Sequence, residues 1–210
     1  MLRIGLTQRV KILPDRNERW DCLDQAWTRL LSSNGFLPVP LPNLIKYVDT
    51  LILELKLEGI ILTGGNDLSH LAGAKDKAPE RDTFEHRLLE TCAKFDIPVL
   101  GVCRGMQIII DHYDGELVPI NQHVATFHDL LIQSQDLMPL TNRELVNSFH
   151  KYGVKQNGLG NELQLIATAP DGTVEAIAHK TLKQWGIMWH PERPPKNKMD
   201  IELLKALFKK

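Results

Sequence analysis

The sequence predicts an α/β fold: a mostly parallel central sheet, helices on both faces, and a small antiparallel extension. Three observations carry this. In the first half, apolar strand-like runs alternate with segments of helical periodicity, the order that builds a parallel sheet covered on both sides. Gly59-Ile60-Ile61-Leu62-Thr63 is apolar without alternation, as a strand buried on both faces is. The second half holds several shorter strand-like runs broken by Asn157-Gly158 and Asp171-Gly172, which are turn signals.

Each element has its own reason. Residues 3–7 read as the first strand. Residues 18–34 read as a helix, because Trp20, Leu23, Trp27, Leu30 and Leu31 recur at three- and four-residue spacing and form a stripe that packs on the sheet. Gly35 is its stop. Residues 36–41 are extended, and their two prolines place that strand near an edge. Residues 43–56 read as a second helix with Asn43 as N-cap. Residues 59–63 are the buried strand, ending in Gly64-Gly65. Residues 72–81, with Pro79, several cations and little apolar content, read as a surface loop. Residues 83–95 form a third helix, and 97–102 a strand. Strands follow at 130–133, 146–149, 163–169, 174–178 and 185–189, with 163–169 and 174–178 as a hairpin. Residues 199–208 close the chain as an amphipathic helix.

Composition bounds the function. The chain has 210 residues, 43% hydrophobic and 24% charged, which suits one domain spanning 1–210 with a sizeable core. A net charge of −1 provides no field that would draw the protein to nucleic acid or an anionic membrane. No apolar run approaches the roughly 20 residues that span a bilayer. Met1-Leu2-Arg3-Ile4-Gly5-Leu6 enters a strand directly, without a signal-peptide layout. Cys22, Cys92 and Cys103 are too few and too odd in number for a disulfide framework, so the expected compartment is the reducing cytoplasm.

The chemistry concentrates at two strand ends. Gly101-Val102-Cys103-Arg104-Gly105-Met106-Gln107 places a cysteine at a strand-to-helix turn, with glycine two residues before and two after. The glycines relieve crowding at a sharp bend, the turn pushes the thiol outward as in nucleophile elbows, and the helix N-terminus favours the thiolate. A small buried cysteine between packing glycines is the plain alternative. In Trp189-His190-Pro191-Glu192, His190 ends an apolar strand and Glu192, two residues on, faces the same way. Glu192 can then accept from one imidazole nitrogen while the other faces Cys103, the logic of a nucleophile, base and orienting acid. The backbone amides of Arg104 and Gly65 are the candidate oxyanion donors. Gly64 and Asn66, beside Gly65, are candidate substrate-binding positions. Four histidines, His112, His123, His128 and His150, match no compact metal-ligand spacing, so no metal and no cofactor are expected.

Thr63-Gly64-Gly65-Asn66-Asp67, the Cys103 turn and Trp189-His190-Pro191-Glu192 occur in the order and spacing of the class I glutamine amidotransferase superfamily. Within it the chain resembles the gamma-glutamyl hydrolases of the peptidase C26 type. Arg81-Asp82-Thr83-Phe84-Glu85, Val146-Asn147-Ser148-Phe149-His150 and Asp171-Gly172-Thr173-Val174-Glu175-Ala176-Ile177 resemble further segments of those hydrolases. The resemblance spans nearly the whole chain. It implies a flavodoxin-like three-layer sandwich, a Cys103–His190–Glu192 triad, an oxyanion hole from Gly65 and Arg104, a role for Gln107 in holding the glutamyl group, and a glutamyl pocket lined by Asn147, Ser148 and His150. The implied reaction is hydrolysis of a gamma-glutamyl amide through a glutamyl thioester, without cofactor.

One departure bears on the substrate. Many relatives carry Asn-x-x-x-Gly-Gly after the cysteine helix; here Asp111-His112-Tyr113-Asp114-Gly115-Glu116-Leu117 stands instead. With the short chain, Gly115–Ile120 and His123, this resembles a compact branch acting on gamma-glutamyl-CDP-amidate in the synthesis of phosphoramidate-modified surface sugars, rather than the hydrolases of gamma-glutamyl polyamines. Arg9, Arg81 and Arg104 are then candidates to meet phosphates. The alternatives are a gamma-glutamyl-polyamine hydrolase, a glutaminase subunit passing ammonia to a synthetase, and a non-catalytic protein that keeps the fold. The expected partner is a small-molecule gamma-glutamyl substrate, with no nucleic acid and no membrane. A homodimer is the assembly to test, although no surface helix is apolar enough to name as its interface.

Overall fold

The structure, a computed structural model, describes residues 1–134, 138–140 and 144–209. β1 (Leu2–Leu6) leads into a hairpin of β2 (Arg9–Leu13) and β3 (Glu18–Cys22). Then come α1 (Gln25–Ser33), β4 (Phe36–Pro40), α2 (Val48–Glu54), β5 (Gly59–Leu62), α3 (Pro79–Lys94), β6 (Val99–Val102) and α4 (Arg104–His112). The second half holds β7 (Val118–Pro119), β8 (Val124–Asp129), β9 (Leu131–Ile132), β10 (Leu145–Phe149), β11 (Tyr152–Gly153), β12 (Leu163–Thr168), β13 (Val174–His179) and β14 (Gln184–Ile187). α5 (Lys198–Phe208) follows.

The main sheet runs β4-β1-β5-β6-β14-β13-β12-β9. Its first five strands are mutually parallel and β13, β12 and β9 continue antiparallel, as the sequence predicts. The apolar run of β5 is explained by two-sided burial: Ile61 points into a core with α1 and α5, while Ile60 and Leu62 point into a second core with α2, α3 and α4. Among the described residues, no helix is long and apolar enough to cross a membrane.

Three local expectations are corrected. The helix expected at 18–34 begins only at Gln25, where the Asp24 side chain accepts from Ala26 N at 2.8 Å. Residues 18–22 instead pair with β2 as a hairpin, and Trp20 is 47% exposed rather than part of the stripe. In the 43–56 segment a 3₁₀ turn (Ile45–Tyr47) precedes α2. Asn43 is not its cap, because its amide donates to Gln8 O and Asp21 Oδ1. The expected loop 72–81 ends early: Pro79 opens α3 from its first turn, where a missing N–H costs nothing.

Candidate active site

The carboxyl ends of β5, β6 and β14 meet at one place, and the suspect residues lie there. Cys103 joins β6 to α4 at φ 54° and ψ −107°. A non-glycine residue held there stores about 1–3 kcal/mol of strain, which the surroundings must impose. They do so through backbone bonds: Cys103 N donates to Ile187 O at 2.8 Å, and Met106 N and Gln107 N donate to Cys103 O. The flanking glycines have a packing reason besides the bend. A Cβ on Gly105 would lie 2.0 Å from Leu62 O, and one on Gly101 2.3 Å from Gly105 O. Only bare backbone lets α4 press this closely on β5 and β6.

His190 is brought up by β14. Its Nδ1 donates to Glu192 Oε1 at 2.8 Å, and both side chains are buried. Its backbone is clamped by Asn147, whose Oδ1 accepts from His190 N and whose Nδ2 donates to His190 O, each at 2.9 Å. Phe149 presents its ring edge-on to the imidazole at 5.9 Å. Gly64 lies so close that a Cβ there would stand 2.8 Å from His190 Cε1 and 3.6 Å from Cys103 Cβ.

The electrostatics favour an ion pair. Burial pushes the Cys103 thiol up, but the charge and hydrogen bond of His190, the charge of His150 and the Arg104 amide outweigh it, and the thiol falls below its usual value. Burial pushes His190 down, but the charge and hydrogen bond of Cys103 and those of Glu192 raise it to about 9. Cys92, buried without such a partner, is driven up to about 12 and is inert. A thiolate beside an imidazolium can attack an acyl carbon and then hand a proton to the leaving atom.

The oxyanion candidates flank the sulfur. The Arg104 amide follows Cys103 at the start of α4 and helps hold its thiol low, and Gly65 adopts φ 86° in the turn after β5. That turn is held from behind by Arg81, which is fully buried. Its guanidinium donates to Thr63 O and Gly65 O, both at 2.6 Å, to Gly64 O at 3.3 Å and to Asn66 Oδ1 at 3.2 Å. Arg81 also pairs with Glu85 at 2.9 Å, and Arg104 with Glu85 and Asp82. The expectation that Arg81 and Arg104 face phosphates is therefore corrected: both side chains are buried and engaged with carboxylates and the turn. Arg9 is exposed and packs against Gly65 at the mouth.

The remaining candidates lie around this centre with defined contacts. Gln107 Nε2 donates to Tyr152 O at 2.9 Å, Ser148 Oγ donates to His123 O at 2.9 Å, and Asn66 Oδ1 accepts from Val10 N at 2.9 Å. Asn147 spends its amide on the backbone of His190 and Pro194, a contact that positions the imidazole. His150 is buried beside Glu175. Sequence reasoning missed Arg193, which lies over the Phe149 ring at 4.8 Å and 3.6 Å from Glu192 Oε1. It also missed Glu175. A glutamate inside the apolar run Val174-Glu175-Ala176-Ile177-Ala178 signals a buried carboxylate in need of partners. A cleft of about 750 Å³ is lined by Glu192 and Arg193 but not by Cys103.

Residues 4–192 match the family model of peptidase C26. The chain is 32% identical over 208 residues to a gamma-glutamyl-CDP-amidate hydrolase of Campylobacter jejuni, covering 98% of this chain and 96% of that one. It is 27% identical over 218 residues to a gamma-glutamyl-gamma-aminobutyrate hydrolase of Escherichia coli, covering 89% and 83%. Among solved structures, a glutamine amidotransferase from Thermotoga maritima superposes with a TM-score of 0.73 at 14% identity, covering 100% of this chain and 99% of that one. That likeness shows the fold, the flavodoxin-like sandwich of class I glutamine amidotransferases.

Proposed function

The chain belongs to the peptidase C26 family, and from that premise we propose that it hydrolyses a gamma-glutamyl amide bond with Cys103, His190 and Glu192 as its triad. The observation that carries the reading is the convergence of a thiol lowered by an imidazolium with a Glu192-oriented His190 held at about 9. The Cys103 thiolate attacks the gamma-carbonyl carbon, a C–S bond forms, and the carbonyl electron pair moves to oxygen, met by the Gly65 and Arg104 amides. The C–N bond then breaks as His190 gives its proton to the departing nitrogen, leaving a glutamyl thioester. His190, now neutral, takes a proton from water. The hydroxide adds to the thioester carbon, the C–S bond breaks, and glutamate leaves as the thiolate and imidazolium are restored. Glu192 keeps the imidazole in the required tautomer throughout. No step needs a cofactor, and the cytoplasm, which keeps thiols reduced, suits the enzyme.

For the leaving group, the gamma-glutamyl nucleotide amidate is favoured. The relative that acts on one matches nearly end to end. Arg9 and Arg193 put two cations at the mouth, where phosphate oxygens would be met. The test is a panel of gamma-glutamyl-CDP-amidate, gamma-glutamyl-gamma-aminobutyrate and glutamine, scored by kcat/KM for glutamate release. Cys103→Ala should lower release on every substrate by at least about 10⁴-fold with the fold intact; persistent turnover would overturn the mechanism. Arg193→Ala should cost the nucleotide amidate more than the others. Equal losses across the panel would remove the phosphate role.

A further inference from the structure

Besides the triad, a second group of titratable side chains among the described residues is buried without adequate partners. His123, which precedes β8, His128 on β8, His150, which follows β10, and Glu175 on β13 converge between the β8–β10 pair and the main sheet. Glu175 has no solvent exposure, and the side chains of His150, His123 and His128 are 1%, 5% and 11% exposed. Three imidazole nitrogens face one carboxylate oxygen: His123 Nδ1, His150 Nε2 and His128 Nε2 lie 3.4, 3.5 and 3.6 Å from Glu175 Oε1. All three distances exceed the usual 2.9–3.0 Å of an N–H···O bond. Among the described residues, neither Glu175 oxygen, nor His128 Nε2, nor His150 Nε2 has a hydrogen-bond partner. A fully buried carboxylate in that state carries a heavy desolvation cost.

The opposite ring nitrogens settle what faces the carboxylate. His150 Nδ1 lies 3.1 Å from Tyr152 O, His128 Nδ1 3.3 Å from Asp129 O, and His123 Nε2 3.3 Å from Asp171 Oδ2. Each of those oxygens only accepts, so the neutral rings of His123 and His128 carry their hydrogen there and turn a lone pair toward Glu175, while His150 faces it from a third side. Ser148 Oγ, 3.2 Å from His123 Nδ1, donates to His123 O and adds another lone pair. A carboxylate and two imidazole lone pairs therefore converge across a dry space, a donor set that suits a bound cation.

We propose that His123, His128 and Glu175 form a binding site for a divalent transition-metal ion of the zinc class, with the fourth position left to water. Ligand atoms about 2.0–2.2 Å from a tetrahedral ion stand about 3.3–3.6 Å apart, the spacing measured around Glu175 Oε1. The ligand atoms of His123, His128 and Glu175 all lie within 4.8 Å of one another. Imidazole and carboxylate suit zinc. The carbonyl and carboxylate acceptors on the far nitrogens are the outer contacts that fix metal-bound histidines. The ion would tie the β8–β10 pair to β13, beside the wall of the active site. Sequence spacing hid the group because Glu175 on β13 meets the two histidines of the β8 segment only across the fold.

The test uses the chelator-treated Cys103→Ser chain, which removes the competing thiolate, titrated with Co²⁺ and with Zn²⁺. Co²⁺ should give the intense visible bands of a tetrahedral site, without a sulfur charge-transfer band, saturating at one equivalent. One equivalent of Zn²⁺ should raise Tm. His128→Ala, at the most exposed ligand, and Glu175→Gln should both lose the bands and the Tm rise. If Glu175→Gln fails to fold, His128→Ala decides. Absence of saturable binding, or binding untouched by His128→Ala, would overturn the site and leave a proton shared by His150 and Glu175 as the positive charge.

Discussion

At the scale of single residues, the site is defined by how two buried groups share a proton. The Cys103 thiol lies below its usual value and His190 at about 9, so the ion pair spans the interval between them. The expected kcat/KM profile is a bell: activity rises with pH as the thiolate forms and falls above about pH 9 as His190 loses the proton the leaving nitrogen needs. Glu192→Gln removes a charge that raises His190, so the upper limb should move to lower pH and the rate should fall about 10²- to 10⁴-fold. An unmoved upper limb would deny Glu192 this role. These residues were legible in the sequence because short motifs report local geometry: an elbow cysteine between glycines, and a His and Glu two apart in extended chain. The fates of Arg81 and Arg104 were not legible. An arginine reads as exposed until the fold shows the carboxylates, Glu85 and Asp82, that accompany it inward.

At the scale of elements, α3 does more than cover the sheet. Its first turn delivers Arg81 to the carbonyls of the Gly64–Gly65 turn, so the oxyanion candidate at Gly65 is positioned from a helix behind it. Arg81→Lys keeps a charge but loses the fork that spans Thr63 O and Gly65 O. The expected result is a fall in kcat of about 10- to 100-fold with KM nearly unchanged, since misplaced donors act on the transition state. A rise in KM alone would instead make Arg81 a binding residue. Arg81→Ala should cost stability by about 3–5 kcal/mol, because Glu85 loses a buried partner. The β2–β3 hairpin carries the complementary lesson. The helical stripe is real at Trp27, Leu30 and Leu31, the buried face of α1, and a coincidence only at Trp20; the Asp24 cap at the true start was the stronger signal for the boundary.

At the scale of the whole molecule, stability carries its own pH signature. Asp200 on α5 accepts from Trp189 Nε1 at 2.8 Å, and burial raises it to about 6 from an unfolded value of 3.8. A carboxyl that binds its proton more tightly when folded costs stability as pH climbs from 3.8 to 6, and the full cost persists above 6. That cost is about 3 kcal/mol at most. Asp200→Asn keeps an acceptor for Trp189 and should stabilise the fold at about pH 8 while changing little near pH 3.5. Urea unfolding at the two values checks this, and an equal effect at both would exclude ionisation as the cause.

The sequence by itself determined the alternation of strands and helices, the doubly buried β5, the hairpin of β12 and β13, and the three motifs that meet at the sheet's carboxyl ends. Those features depend on neighbours in the chain, which periodicity and turn chemistry report directly. Only the tertiary structure decided that Asn147 clamps His190, that Arg81 braces the turn after β5, and that the histidines on and beside β8 and β10 surround Glu175 on β13. Such contacts join residues distant in sequence, and their partners are chosen by the packing of the sheet rather than by any local pattern.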